Sequence, residues 1–267
     1  MNVGMTLGFI GCGQMARALL VGFIRHPELL TSISLFDIDT AKAQALAQDF
    51  GAKVADSGCS LAEEVDVVVL AVKPPQIKTV LREISEVLNA DQVVVSIAAG
   101  VTMNSICQEI DPQVPVVRVM PNVPCLIGQG VMGLSFSDSV RPDKQKVILE
   151  LFSTVGLVES IPEEYMDAVT AVSGSGPAFV FLVAEALTDA AVEVGLPRDL
   201  ARRLVNQTLI GSSIMMQESG EHPAVLRERV TSPGGTTIAG IRALESRGVR
   251  SAFFEAVREA CQRSAKL

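Results

Sequence analysis

The chain has 267 residues, enough for one large domain or two small ones, each with its own core. Lys and Arg number 22 against 30 Asp and Glu, a formal charge of −8, which argues against non-specific nucleic-acid binding because phosphate contacts need clustered positive charge. Hydrophobic residues make up 48% and charged ones 19%, which argues against disorder; with no Trp and one Tyr, the core has to be built from Val, Leu, Ile and Ala.

From residue 6 to 160, short apolar runs alternate with helical patterns. Residues 6–10 read as a strand and 14–25 as a helix; 33–36 as a strand and 40–50 as a helix capped by Asp39 or Thr40. Residues 66–72 read as a central strand, apolar on both faces, followed by a helix over 77–88. Residues 92–97 and 116–120 repeat the strand pattern. The alternation predicts an α/β fold with a mostly parallel sheet and right-handed crossovers.

After Pro162 the strands stop. Residues 163–171, 178–194, 198–218, 237–247 and 250–266 carry helical periodicity, with Pro177, Pro197 and Pro223 near helix starts and Gly195 and Gly248 near ends. The expected organisation is a Rossmann-type dinucleotide-binding domain over residues 1–162 and an all-helical domain over 163–267. Residues 178–184 are almost continuously apolar, and helices apolar on more than one face need further partners, so a homodimer through this half is predicted. The most apolar stretch, 168–196, is interrupted by Ser173-Gly-Ser-Gly-Pro177 and carries Glu185 and Asp189, so no membrane span is expected. The N-terminal residues do not read as a signal peptide. Five scattered cysteines without a Cys-x-x-Cys pair read as reduced thiols of a cytoplasmic protein, with no metal site.

Gly11-Cys12-Gly13-Gln14-Met15-Ala16 follows the first strand and opens the first helix. The first glycine suits a tight turn, and the second lets backbone approach a pyrophosphate. Ala16 permits close helix packing, and the helix N-terminus supplies N–H groups. Asp37 ends the second strand, where an acid bonds a ribose 2′-hydroxyl and repels a 2′-phosphate; taken alone it favours NADH over NADPH. Val72-Lys73-Pro74 and Ala98-Ala99-Gly100 leave two further strands on the expected ligand edge. In the second half, Ser173-Gly-Ser175-Gly-Pro-Ala178 and Thr231-Ser-Pro-Gly234-Gly235-Thr236-Thr237 each place amides and hydroxyls at a helix start, which suits a carboxylate.

What is absent also narrows the chemistry. No lysine occurs between Lys146 and Lys266, and the two histidines, His26 and His222, read as solvent-facing cap residues. Reduction of a ketone needs a proton donor at oxygen, usually Lys or His. A substrate that is already a protonated imine needs none: hydride goes to carbon and the nitrogen becomes an amine.

The loop Gly11-x-Gly13-x-Met15-Ala16, Ala71-Val-Lys-Pro74, Ala98-Ala-Gly100, Arg118-Val-Met-Pro-Asn-Val-Pro124, Ser173-Gly-Ser-Gly-Pro-Ala178 and Val230-Thr-Ser-Pro-Gly-Gly-Thr-Thr237 together resemble the pyrroline-5-carboxylate reductase family, over residues 6 to 260. The resemblance implies reduction of (S)-1-pyrroline-5-carboxylate to L-proline with NADPH or NADH, the last step of proline biosynthesis. It also implies a helical dimerisation domain and often a decamer of five dimers. By position it implies catalytic roles for Thr237 and for Glu163, the latter as an acid near the ring. By the same resemblance Gly234, Gly235 and Thr236 fall at the substrate, and Gly11, Cys12, Gly13, Gln14, Met15, Val72, Lys73 and Ala99 at the cofactor, while Ser173 and Ser175 at the substrate and Asp37 at the cofactor rest on the reading of the residues themselves. Three positions depart from the family pattern: Val123 stands where many members have Thr, Arg229 where many have Asn, and Asp37 where members have a small residue or Asn-Arg. The family commonly uses NADPH, so Asp37 and family habit point to different cofactors. Two other readings stay open: a β-hydroxyacid dehydrogenase of the same two-domain plan, which wants a lysine in the second domain, and a non-catalytic dinucleotide-responsive binding protein.

Overall fold

A computed structural model describes residues 4–267. The chain divides into two compact units, Met1–Ser175 with Ala260–Leu267, and Gly176–Glu259.

The first unit is built on strands β1 (Met5–Ile10), β2 (Leu30–Phe36), β3 (Lys53–Val54), β4 (Val67–Leu70), β5 (Val93–Ser96), β6 (Val116–Met120), β7 (Gly130–Phe136) and β8 (Gly156–Ser160). They form a sheet of order β3-β2-β1-β4-β5-β6-β7-β8. The run from β3 to β6 is parallel; β7 pairs antiparallel with β6, and β8 parallel with β7. Helices α1 (Gln14–Phe23), α2 (Thr40–Phe50), α3 (Gly58–Glu64), α4 (Ile77–Ile84), α5 (Met103–Cys107) and α6 (Pro142–Ser153) accompany the sheet.

Side-chain alternation divides the core in two. Leu7 and Phe9 of β1, with Val67 and Val69 of β4, join α1 and α6 in one apolar cluster; Ile10, Val68 and Leu70 join α3 and α4 in the other. The β4 strand is fully buried, as a strand covered by helices on both faces must be. Phe23 meets Phe152 edge to face at 5.3 Å, joining α1 to α6.

The parallel, helix-covered sheet agrees with the sequence expectation, and several details extend or correct it. The antiparallel return of β7 lies where no crossover helix follows β6, only a 3-10 turn over Val123–Ile127. The helix expected over 77–88 ends at Ile84. The α3 helix, unforeseen, is set by a capping box in which the Ser57 hydroxyl accepts from the Ser60 amide and the Ser60 hydroxyl accepts from the Ser57 amide.

Beyond β8 the chain forms a 3-10 turn (Glu163–Tyr165), a short α7 (Met166–Val169) and a π turn (Thr170–Gly174), where one regular helix was expected. The Ser175 amide closes the wide turn by donating to the Thr170 carbonyl at 2.9 Å. This segment belongs to the first unit, as does the C-terminal end, where the Ser264 hydroxyl donates to Asp167 at 2.7 Å.

The second unit contains α8 (Gly176–Glu193), α9 (Arg198–Ser219), α10 (Pro223–Arg229), α11 (Thr236–Ser246) and most of α12 (Val249–Ser264). The short α10 was also unforeseen; the His222 ring caps it by accepting from the Ala224 amide. No residue of α8 is buried, and Phe181, 64% exposed, lies among Val180 and Leu182, also exposed. Contiguous apolar faces of this kind tend to mark contact surfaces.

The glycine-serine segment before α8 does not interrupt the helix. Pro177 is the second residue of α8, which follows the π turn over Thr170–Gly174, and that turn carries helical backbone through the serines. By length and composition alone the helical stretch Glu163–Glu193 is long and apolar enough to cross a membrane, a test that the core helices of non-membrane proteins also pass.

Candidate active site

Strand order reverses at β1, between β2 and β4, which makes the carboxyl ends of β1 and β4 the topological switch point where parallel α/β sheets bind ligands. The predicted cofactor residues lie at this edge. Gly11 follows β1 with φ +100°, and its amide donates to the Phe36 carbonyl at 2.8 Å. A Cβ there would lie 2.6 Å from the Ala71 carbonyl oxygen, so only glycine allows β1 and β4 to end this close together. Gly13 is the N-cap of α1 and has no side-chain cap, leaving the first-turn amides free for a ligand. A Cβ built on Gly13 meets no protein atom within 4 Å. The protein's own packing does not require that glycine, whereas a pyrophosphate approaching the amides does. The loop fits a dinucleotide.

Asp37 ties the loop to β2. Its Oδ2 accepts from the Cys12 amide at 2.8 Å and its Oδ1 from the Asp39 amide at 2.9 Å. The Cys12 thiol is buried, and burial together with the negative charge of Asp37 pushes its pKa up to about 12. Gln14 is exposed and Met15 half-buried. After β4 come half-buried Val72 and exposed Lys73, whose amide donates to Gln76 Oε1 at 3.2 Å. Ala99 lies half-buried in the loop after β5.

Glu163 lies beside the continuation of that loop. Its Oε1 accepts from the Met103 amide at the start of α5, at 2.7 Å, and from Arg118 Nη1 in β6, at 3.0 Å. Asn122, after β6, is buried and uses both ends of its amide: Nδ2 donates to the Ser173 carbonyl at 3.0 Å, and Oδ1 accepts from the Val131 amide at 2.9 Å. It thereby pins the π turn to the sheet. The Ser173 hydroxyl donates to the Val169 carbonyl, and that of Ser175 has no partner among the described residues. In the sequence, Arg118 and Asn122 stand out only as members of the motif Arg118–Pro124. The signal was present: a charged residue between valines of an apolar strand needs a partner once buried.

Within the second unit, Gly234 has φ +68° and the Gly235 amide donates to Ser232 O, forming the turn before α11. Thr236 and Thr237 occupy the first turn of α11, where amides lack intrahelical partners. Thr237 is half-buried, and neither threonine hydroxyl has a hydrogen bond among the described residues. Arg229 pairs with Glu221 through two hydrogen bonds, an arrangement internal to this unit. His26 pairs with Glu28 and His222 caps α10, so both histidines have local partners. Among the described residues no cluster of three His, Cys, Asp or Glu is placed to hold a metal. A groove of about 780 Å³ at His26, Leu29 and Lys146 contains none of the predicted site residues.

Residues 163–267 match the family model described as pyrroline-5-carboxylate reductase dimerisation, and residues 6–100 match one described as NADP oxidoreductase coenzyme F420-dependent. The pyrroline-5-carboxylate reductase of Escherichia coli (strain K12) is 40% identical over 262 residues, covering 98% of this chain and 97% of the relative. A solved pyrroline-5-carboxylate reductase from Coxiella burnetii superposes with TM-score 0.91 at 35% identity, covering 99% of this chain and 98% of the other. A Plasmodium falciparum pyrroline carboxylate reductase with NADP bound superposes with TM-score 0.88 at 32% identity, covering 98% and 97%.

Fold, loop and matches define the class, an NAD(P)H-dependent oxidoreductase acting on a CH–NH bond. The chain belongs to the pyrroline-5-carboxylate reductase family, whose members reduce the cyclic imine to proline.

Proposed function

We propose that the chain works as a homo-oligomeric, cytoplasmic pyrroline-5-carboxylate reductase in which the residues singled out above hold cofactor and substrate. The observation that carries this reading is the Gly11–Gly13 loop at the switch point, with free first-turn amides and an open space where a Gly13 Cβ would stand. Gly11, Cys12, Gly13, Gln14 and Met15 form the phosphate cradle, Val72, Lys73 and Ala99 flank the nicotinamide half, and Asp37 faces the adenosine ribose. The nicotinamide cofactor supplies a hydride when bound. Gly234, Gly235 and Thr236 hold the substrate carboxylate through amides, with Ser173 and Ser175 as further ligands. Thr237 and Glu163 act at the ring. The functional division is a cofactor domain over 1–162 and a substrate and dimerisation domain over 163–267.

The ring arrives with its nitrogen protonated, so orientation and exclusion of water do most of the work. The lysine that a β-hydroxyacid dehydrogenase needs in its second domain is missing from 163–265. The test is nicotinamide oxidation by purified protein: consumption with pyrroline-5-carboxylate and none with keto acids is expected, and the reverse rejects the reading.

Cofactor choice turns on Asp37. A carboxylate already fixed by the Cys12 and Asp39 amides stays in place and repels a 2′-phosphate. Asp37→Ser is expected to raise kcat/KM with NADPH relative to NADH by about tenfold, the equivalent of ~1.4 kcal/mol. An unchanged ratio removes Asp37 from the ribose site.

The exposed face of α8 is covered by a second copy, and this accounts for its membrane-like composition: Glu185 and Asp189 lie on the same helix, and both are costly in hydrocarbon. Light scattering at micromolar concentration should give at least twice the 28.3 kDa chain mass, a decamer of five dimers being the largest assembly proposed. A monomer in that measurement rejects the interface.

A further inference from the structure

Arg118 stands in β6 between the buried Val117 and Val119, and it is itself only 4% exposed. A guanidinium taken this far from water is costly unless a counter-charge meets it. Glu163 does so, and it is the one carboxylate within 4.0 Å of Arg118 among the described residues. Both donors that reach Glu163, Arg118 Nη1 and the Met103 amide, converge on Oε1. The second oxygen, Oε2, has no partner among the described residues, and the side chain keeps 27% of its exposure. The carboxylate is therefore held by one oxygen and open at the other. The Cys107 thiol of α5 has its ionisation pushed up by burial and by the charge of Glu163, and Glu164 and Asp167 lie on the same chain segment as Glu163.

We propose that Arg118 is a positioning residue for imine reduction: with the Met103 amide it locks Glu163 by Oε1 so that Oε2 accepts the N–H of the substrate ring. The inference rests on the reading of Glu163 as the acid near the ring. In the step it serves, hydride adds to the ring carbon, and the electron pair of the C=N bond moves to nitrogen. The cation is discharged to an amine whose N–H remains on Oε2. An anion fixed at that point favours the protonated imine, the form that accepts hydride, and fixes the ring's angle. Without Arg118 the carboxylate swings and its charge is no longer held in one place.

The test is a double-mutant cycle on the full-length enzyme, with kcat and KM measured for imine and cofactor. Glu163→Gln should lower kcat about tenfold. Arg118→Met should do nearly the same, with KM for the nicotinamide within about twofold of wild type. Arg118→Lys, which keeps the charge, should recover most of kcat. In the Glu163→Gln background, Arg118→Met should change kcat less than about twofold. Equal losses from Arg118→Met in both backgrounds overturn the proposal, because the arginine would then act independently of the carboxylate. So does an Arg118→Met enzyme with wild-type kcat beside an impaired Glu163→Gln. Should Arg118→Met not fold, Arg118→Lys decides: a kcat as low as that of Glu163→Gln overturns the proposal. Wild-type kinetics in Glu163→Gln instead removes Glu163 from the ring, so that the underlying reading fails visibly and separately.

Discussion

Thr237→Ala is expected to lower kcat/KM for pyrroline-5-carboxylate by about tenfold or more, a loss of at least ~1.4 kcal/mol of transition-state stabilisation. Thr237 lies in the first turn of α11, half-buried, with its hydroxyl unbonded among the described residues. A hydroxyl without an internal partner has no structural duty to lose, and alanine is the better helix former. Stability should therefore stay within about 0.5 kcal/mol of wild type, which makes the kinetic loss attributable to the site. Thr237→Ser keeps the oxygen and should stay within about threefold of wild type. If the bond forms chiefly in the transition state, kcat falls and KM hardly moves. Steady-state kinetics on the three proteins, with unfolding curves alongside, checks this, and wild-type constants in the alanine variant remove Thr237 from the chemistry.

Gly11→Ala and Gly13→Ala should fail for opposite reasons. At Gly11 the backbone has φ +100°, and a Cβ would overlap the Ala71 carbonyl at 2.6 Å and crowd Val72 at 3.0 Å. A left-handed conformation alone costs about 1–2 kcal/mol for an alanine, and the overlap pushes β1 away from β4 at the core of the sheet. A stability loss of about 2–3 kcal/mol is expected, visible as a lower urea midpoint. At Gly13, φ is −79° and no protein atom stands near the missing Cβ. The stability loss should stay under about 1 kcal/mol, the ordinary cost of alanine at an N-cap. The methyl group would nevertheless occupy the place of the pyrophosphate. NADPH affinity, followed by cofactor fluorescence, should fall tenfold or more in Gly13→Ala. Unchanged affinity there would mean that the loop is only a turn.

Much of this was legible in the residues because period and punctuation agree. The apolar runs of β1, β4, β5 and β6 lie where the pattern predicted them, since a strand buried on both faces cannot hide among polar residues, while the partly exposed β2 begins at Leu30, ahead of the predicted 33–36. The antiparallel β7 was not legible. Its Gly-Val-Met-Gly-Leu-Ser-Phe sequence has two glycines, and no helical pattern precedes it. Helices α3 and α10 have seven residues each, too short for periodicity to register. The π turn over Thr170–Gly174 was invisible for another reason: sequence periodicity does not distinguish a widened turn from an ordinary one. For the site, the glycine loop and Asp37 could be read from spacing along a single βαβ stretch. The partners of Glu163 could not, since Met103 and Arg118 are 60 and 45 residues away along the chain.

The thiol of Cys12 is buried beside Asp37. Peroxide and alkylating agents attack the thiolate, and a group that ionises only near pH 12 offers almost none at neutral pH. An accessible cysteine beside a helix N-terminus would ordinarily be a weak point toward oxidants. Here burial, and after it the negative charge of the carboxylate that accepts from the Cys12 amide, holds the sulfur in its unreactive thiol form.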